Sequence, residues 1–171
     1  DINSVSILEN GEIISPLSSK APVSRLEAIP LSLVFALDIS GSMFGQKFEI
    51  LKASTKKIIK IIPLDVSEVA IASFNHEIAL NCDFTHNLDT LLHSIDCLRS
   101  GGGTNFENAF LADYAGLVDI AKQGQYENKL IIFISDGMGK LNAQQVTDLA
   151  NSNLITVNCI KIGRASCRER V

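Results

Sequence analysis

Leu31-Ser32-Leu33-Val34-Phe35-Ala36-Leu37-Asp38-Ile39-Ser40-Gly41-Ser42-Met43 opens with seven residues that are apolar except for Ser32. A run without polar alternation is what a central parallel strand requires, because helices cover both of its faces. The run stops at an aspartate and passes into a Ser-Gly-Ser turn. A second stretch has the same form: Leu130-Ile131-Ile132-Phe133-Ile134 leads into Ser135-Asp136-Gly137. Between the two lies Gly101-Gly102-Gly103-Thr104-Asn105, a loop able to approach other backbone closely because glycine has no Cβ.

Around these strands, helical and extended patterns alternate. Phe48, Leu51, Thr55, Ile58, Ile59 and Ile62 recur at helical spacing over 46–62, and Pro63 stops the helix. Val69 to Phe74 predicts a second strand. Ile78 to Cys82 predicts a third, shorter one, and the link Asn75-His76-Glu77 suits an antiparallel edge hairpin. Leu88 to Leu98 predicts a helix with Leu88, Leu91, Leu92, Ile95 and Leu98 on one face. Phe106 to Lys122 predicts another, with Phe106, Phe110, Tyr114, Leu117 and Val118 inward. Leu130 to Ile134 is the fourth strand, Ala143 to Asn151 a helix, and Leu154 to Ile160 a fifth strand. The class is α/β: a Rossmann-like, doubly wound, mostly parallel sheet with one short antiparallel edge strand and helices on both faces.

The ends read differently. In residues 1–30, Val5, Ile7 and Leu8 precede Asn10-Gly11 and then Ile13-Ile14, which predicts a short hairpin. Pro16, Pro22 and Pro30 among serines read as linker, so this stretch is an N-terminal extension or the end of a preceding domain. Residues 31–162 form the α/β domain, with a further strand and a final helix expected beyond it. Residues 163–171, Gly-Arg-Ala-Ser-Cys-Arg-Glu-Arg-Val, break in composition and resemble a translated sequencing-adapter oligonucleotide. They are set aside as a non-native tail.

Bulk properties exclude several classes. Of 171 residues, 46% are hydrophobic and 20% charged, which is ordinary globular usage. The net charge of −4 argues against nucleic-acid binding, which wants a basic face. Without the tail's three Arg and one Glu, 12 basic and 18 acidic residues remain, or −6. No apolar run reaches the roughly 18 residues needed to span a bilayer. Cys82, Cys97 and Cys159 lie in no Cys-x-x-Cys pair and read as small core residues. His76, His86 and His93 show no ligand spacing.

Open α/β sheets bind ligands beyond the carboxyl ends of their strands, where strand order reverses. Asp38, Ser40 and Ser42 follow the first strand, Thr104 ends the glycine-rich run, and Asp136 follows the fourth strand. Asp-x-Ser-x-Ser alone also fits a helix N-cap cluster. The three-part set, in this order on an α/β frame, resembles the metal-ion-dependent adhesion site of von Willebrand factor A domains. The resemblance covers residues 31–162. It implies one divalent cation held by Asp38, Ser40, Ser42, Thr104 and Asp136, the hydroxyls directly and the carboxylates mainly through water. Mg2+ takes about six oxygen ligands. Oxygen-only ligation favours Mg2+ or Mn2+ over zinc, and Ca2+ usually wants more direct carboxylates. A cation with few directly bound anions stays electrophilic and can accept a partner's carboxylate. Gly41 permits the turn that brings Ser40 and Ser42 together. Met43, Asn105 and Gly103 flank the site as candidate ligand contacts.

The function so implied is metal-dependent binding of a protein that presents an acidic side chain, in adhesion or complex assembly. It is not an enzyme, and an extracellular or cell-surface setting is favoured over the cytoplasm. A Mg2+-dependent phosphatase or phosphotransferase with Asp38 as nucleophile is the first alternative. Such sites want a second carboxylate two residues later, where this chain has Ser40. A scaffold role beside an ATPase-linked assembly is the second. Ser42 lies in no Gly-x-Ser-x-Gly elbow, and no Gly-Lys-Ser/Thr follows the glycine run.

Overall fold

The structure is a computed structural model that describes residues 8–9, 12–13, 29–112 and 115–163. Leu8–Glu9 (β1) and Glu12–Ile13 (β2) pair antiparallel, Leu8 opposite Ile13, as the Asn10-Gly11 pattern predicts. The main sheet contains Leu31–Asp38 (β3), Glu68–Phe74 (β4), Ile78–Thr85 (β5), Asn128–Ser135 (β6) and Ile155–Lys161 (β7). Among the described residues five α-helices accompany it: Gln46–Ile59 (α1), Leu88–Cys97 (α2), Phe106–Leu111 (α3), Leu117–Lys122 (α4) and Ala143–Ser152 (α5).

The strand order is β5-β4-β3-β6-β7, with β4 and β5 antiparallel and the other neighbours parallel. The chain leaves β3 for β4 on one side and returns to β6 on the other. The switch point therefore lies at the carboxyl ends of β3 and β6, where Leu37 pairs with Ile134.

Burial explains why β3 carries no alternation. Leu33, Phe35 and Leu37 face one core layer with Phe48, Leu51 and Ile59 of α1 and Leu91 and Ile95 of α2. Val34 and Ala36 face the other, beneath α3, α4 and α5. Phe133 of β6 stacks on Phe74 at 4.5 Å between centroids and on Phe110 at 4.9 Å, and meets Phe106 edge-on. Both faces of β3 are apolar because both are covered.

Four expectations need correction. The antiparallel edge strand is not short: β5 runs eight residues, as long as β3, and carries register irregularities opposite Val69 to Ala72. The helix expected over 106–122 is two helices, α3 and α4. A Cβ at Gly116 would stand 2.4 Å from the Phe110 carbonyl oxygen, so the chain folds tightly back at the break. Phe106, Phe110, Leu117 and Val118 are buried as expected, while Tyr114 lies outside the described residues. The last strand starts at Ile155, because Leu154 takes a positive φ of 55° and is exposed. The cysteines are not core residues: Cys97 and Cys159 are exposed and Cys82 is half-buried.

Candidate metal centre

The turn after β3 is built from Asp38 outward. Asp38 is fully buried. Its Oδ1 accepts the Ser40 backbone N–H at 2.9 Å, and its Oδ2 accepts the Ser135 hydroxyl at 2.6 Å. Gly41 to Met43 then form one turn of 3-10 helix, which places the Ser40 and Ser42 hydroxyls 3.1 Å apart.

The glycine-rich loop packs directly on this turn. The Gly41 N–H donates to the Gly102 carbonyl at 2.9 Å, and the Gly101 N–H donates to the Ile39 carbonyl at 2.7 Å. Asn75, just past β4, donates from Nδ2 to the Gly101 carbonyl at 3.0 Å. Gly102 has φ +85°, and a Cβ there would stand 2.9 Å from side-chain atoms of Asn75 and His76. Only glycine meets both conditions.

Asp136 closes the arrangement beyond β6 and is nearly buried. Its Oδ1 accepts the Met138 N–H at 3.2 Å, and its Oδ2 accepts the Lys47 ammonium at 2.8 Å. Burial pushes the Asp136 carboxyl up, but hydrogen bonds from Lys47 and Ser42, the Lys47 charge and the Met138 N–H outweigh it and hold the group below the ordinary carboxylate range.

Asp38, Ser40 and Ser42 are thus joined by hydrogen bonds in the turn after β3, and Lys47 bridges the Ser42 carbonyl to Asp136. Thr104 is half-buried two residues past Gly102, and no hydrogen bond among the described residues ties its side chain to the other four. Asn105 caps α3, its side chain accepting the Asn108 N–H at 3.0 Å, and both it and Gly103 are exposed at the loop. Met43 is not placed to touch a ligand. It is fully buried in the layer with Leu37 and Leu51, where it anchors the turn from below. Ser135, Lys47 and Asn75 were not singled out in the sequence. Ser135 and Asn75 each sit at the end of a central strand, the position that pointed to Asp38 and Asp136; Lys47 had no such signal.

Among the described residues, no group of three or more His, Cys, Asp or Glu side chains is arranged to hold a metal. A soft or carboxylate-rich site is therefore absent there. Two carboxylates and three hydroxyls form an oxygen-only set that could hold a hard cation. A cavity of about 460 Å3 lies elsewhere, lined by Ile39, Ser73, Cys82, His93 and Cys97 among others, and none of the five candidate ligands borders it. No helix among the described residues is long and apolar enough to cross a membrane.

The sequence profile of the von Willebrand factor type A domain matches residues 33–138, more than half of the chain. This chain belongs to the von Willebrand factor type A domain family. Such domains typically mediate protein–protein interaction or adhesion. Among curated proteins, the domain is similar to inter-alpha-trypsin inhibitor heavy chain H2 of Mus musculus, 27% identical over 71% of this chain and 14% of that one. The Sus scrofa protein of the same name is also 27% identical, over 78% of this chain and 15% of that one. The chain thus spans about one seventh of the length of these relatives. Among solved structures, the three N-terminal domains of the type V pili tip protein Mfa5 from Porphyromonas gingivalis are similar at 25% identity. That likeness has a TM-score of 0.56 and covers 65% of this chain and 20% of that one. BatB from Bacteroides thetaiotaomicron shares the fold at 19% identity and TM-score 0.62, over 77% of this chain and 66% of that one.

Proposed function

We propose that this domain binds a protein partner through a divalent cation, Mg2+ or Mn2+, held by Asp38, Ser40, Ser42, Thr104 and Asp136. One observation carries the reading. Asp38 is a fully buried carboxylate with two hydrogen-bond donors and, among the described residues, no basic side chain paired with it. An ion buried without a counter-charge costs several kcal/mol. A cation between the three loops would offset that cost. When bound, it would also offer a coordination position to an acidic side chain.

The chain's own residues prepare the place. Ser135 and the Ser40 N–H fix the Asp38 carboxylate, and the Met138 N–H fixes that of Asp136. Gly41 and Gly102 let two loops meet at backbone distance. Phe44 and Met138, two residues beyond Ser42 and Asp136, are 80% and 69% exposed. Each offers apolar surface near a candidate ligand to residues flanking the partner's acid, and exposed Asn105 and Gly103 beside Thr104 offer polar contacts. Binding by such a module needs no catalytic base, and Ser40 stands where a phosphatase would want its second carboxylate. The likeness to a pili tip protein supports a cell-surface or extracellular setting.

Water-proton relaxation with Mn2+ tests the reading. Bound Mn2+ is expected to enhance solvent relaxation, and acetate is expected to reduce the enhancement by displacing coordinated water. Absence of enhancement both with and without acetate, or enhancement that survives Asp38→Ala, would overturn it.

A further inference from the structure

Lys47, the second residue of α1, reaches into the candidate site. Its ammonium donates to Asp136 Oδ2 at 2.8 Å and to the Ser42 carbonyl at 3.1 Å. Asp136 thus has a positive partner of its own, whereas Asp38 has none among the described residues. The two carboxylates of the site are not electrostatically equivalent.

We propose that Lys47 is a built-in counter-cation that competes with the metal for Asp136 and makes firm cation binding depend on an acidic ligand. This rests on the functional reading above. Formal charges give the reason. Asp38 and Asp136 contribute −2, a divalent ion +2 and Lys47 +1, so the loaded site carries +1. One partner carboxylate brings it to zero. Without Lys47 the loaded site is already neutral, and a ligand anion gains less by entering. Lys47 therefore weakens the cation alone and favours cation and carboxylate together, because like charges a few ångströms apart repel strongly at a partly buried site.

A simple bracing role would predict the reverse sign, but the loops are held without Lys47. Asp136 Oδ1 rests on the Met138 N–H, Ser42 Oγ on Ser40 Oγ, and the Gly41 N–H on the Gly102 carbonyl. The side chain is also 43% exposed, so it can swing away from Asp136 without leaving a cavity.

Mn2+ calorimetry on wild type, Lys47→Met and Lys47→Arg, with and without acetate, tests this. Melting each protein in chelator confirms that it is folded. Lys47→Met is expected to bind Mn2+ about tenfold more tightly or better. It is also expected to lose most of the gain in Mn2+ affinity that acetate gives wild type, while Lys47→Arg stays near wild type. Mn2+ binding that wild type shows only with acetate, and Lys47→Met shows without it, would equally support competition. If wild type binds Mn2+ and Lys47→Met binds it no more tightly, Lys47 is a strut and the proposal fails alone. If no form binds Mn2+, the metal-dependent reading fails and this proposal with it.

Discussion

The Ser135 hydroxyl donates to Asp38 Oδ2 at 2.6 Å, joining residues 97 apart in sequence at the ends of adjacent parallel strands. Ser135 also accepts the Gly137 N–H at 2.9 Å, so one hydroxyl orients both the buried carboxylate and the loop that carries Asp136. Hydrogen bonds to charged groups contribute about 1.5–3 kcal/mol. Ser135→Ala is expected to lower unfolding free energy by about 2 kcal/mol, measured by urea denaturation in chelator. A loss under about 0.5 kcal/mol would mean that Asp38 is held by other groups.

Gly102 has a positive φ and no room for a Cβ beside Asn75 and His76. Gly102→Ala is expected to cost about 1–3 kcal/mol through strain and the displaced side chains. It should also weaken any cation binding, because the Gly41 N–H loses its fixed acceptor. Gly101→Ala is the control, since nothing lies within 4 Å of a Cβ there. Melting temperatures of the two variants that coincide would contradict the close packing of this loop.

Asp96, at the end of α2, is held below the ordinary carboxylate range, first by the hydrogen bond from Lys56, which together with the charges of Lys56, Lys52 and His93 outweighs the opposing desolvation. A folded-state pKa below the unfolded one stabilises the protein above the unfolded value, and that contribution fades as pH falls through the folded value. Carboxyl carbon NMR is expected to show Asp96 of Lys56→Met titrating at higher pH than in wild type. An unchanged titration would show that the ion pair does not persist in solution.

Much of the fold was legible because burial on both faces leaves a mark in sequence. β3 and β6 read as apolar runs, and their acidic ends marked the switch point. The break between α3 and α4 was not legible, since apolar spacing continues across it and the constraint at Gly116 is a contact with the Phe110 carbonyl. The edge strand β5 was read short because Asp83, just past Cys82, looks like a turn residue, although the strand continues to Thr85. Met43 was misjudged because a methionine beside Ser42 gives no hint of which side of the turn it takes. Lys47 was passed over because a lysine in the first turn of a helix normally reads as solvated surface; its two partners lie in loops that only the fold brings to α1.

Calorimetric titration of Mg2+ into wild type and Asp38→Asn is the most direct measurement. Asn keeps the size of the side chain and removes the charge, so a folded variant isolates the electrostatic role of Asp38. With acetate present, wild type is expected to show saturable one-to-one binding that disappears in Asp38→Asn, together with an Mg2+-dependent rise in melting temperature for wild type alone. Equal Mg2+ binding by both proteins, or none by wild type with acetate present, would contradict a cation centre at Asp38.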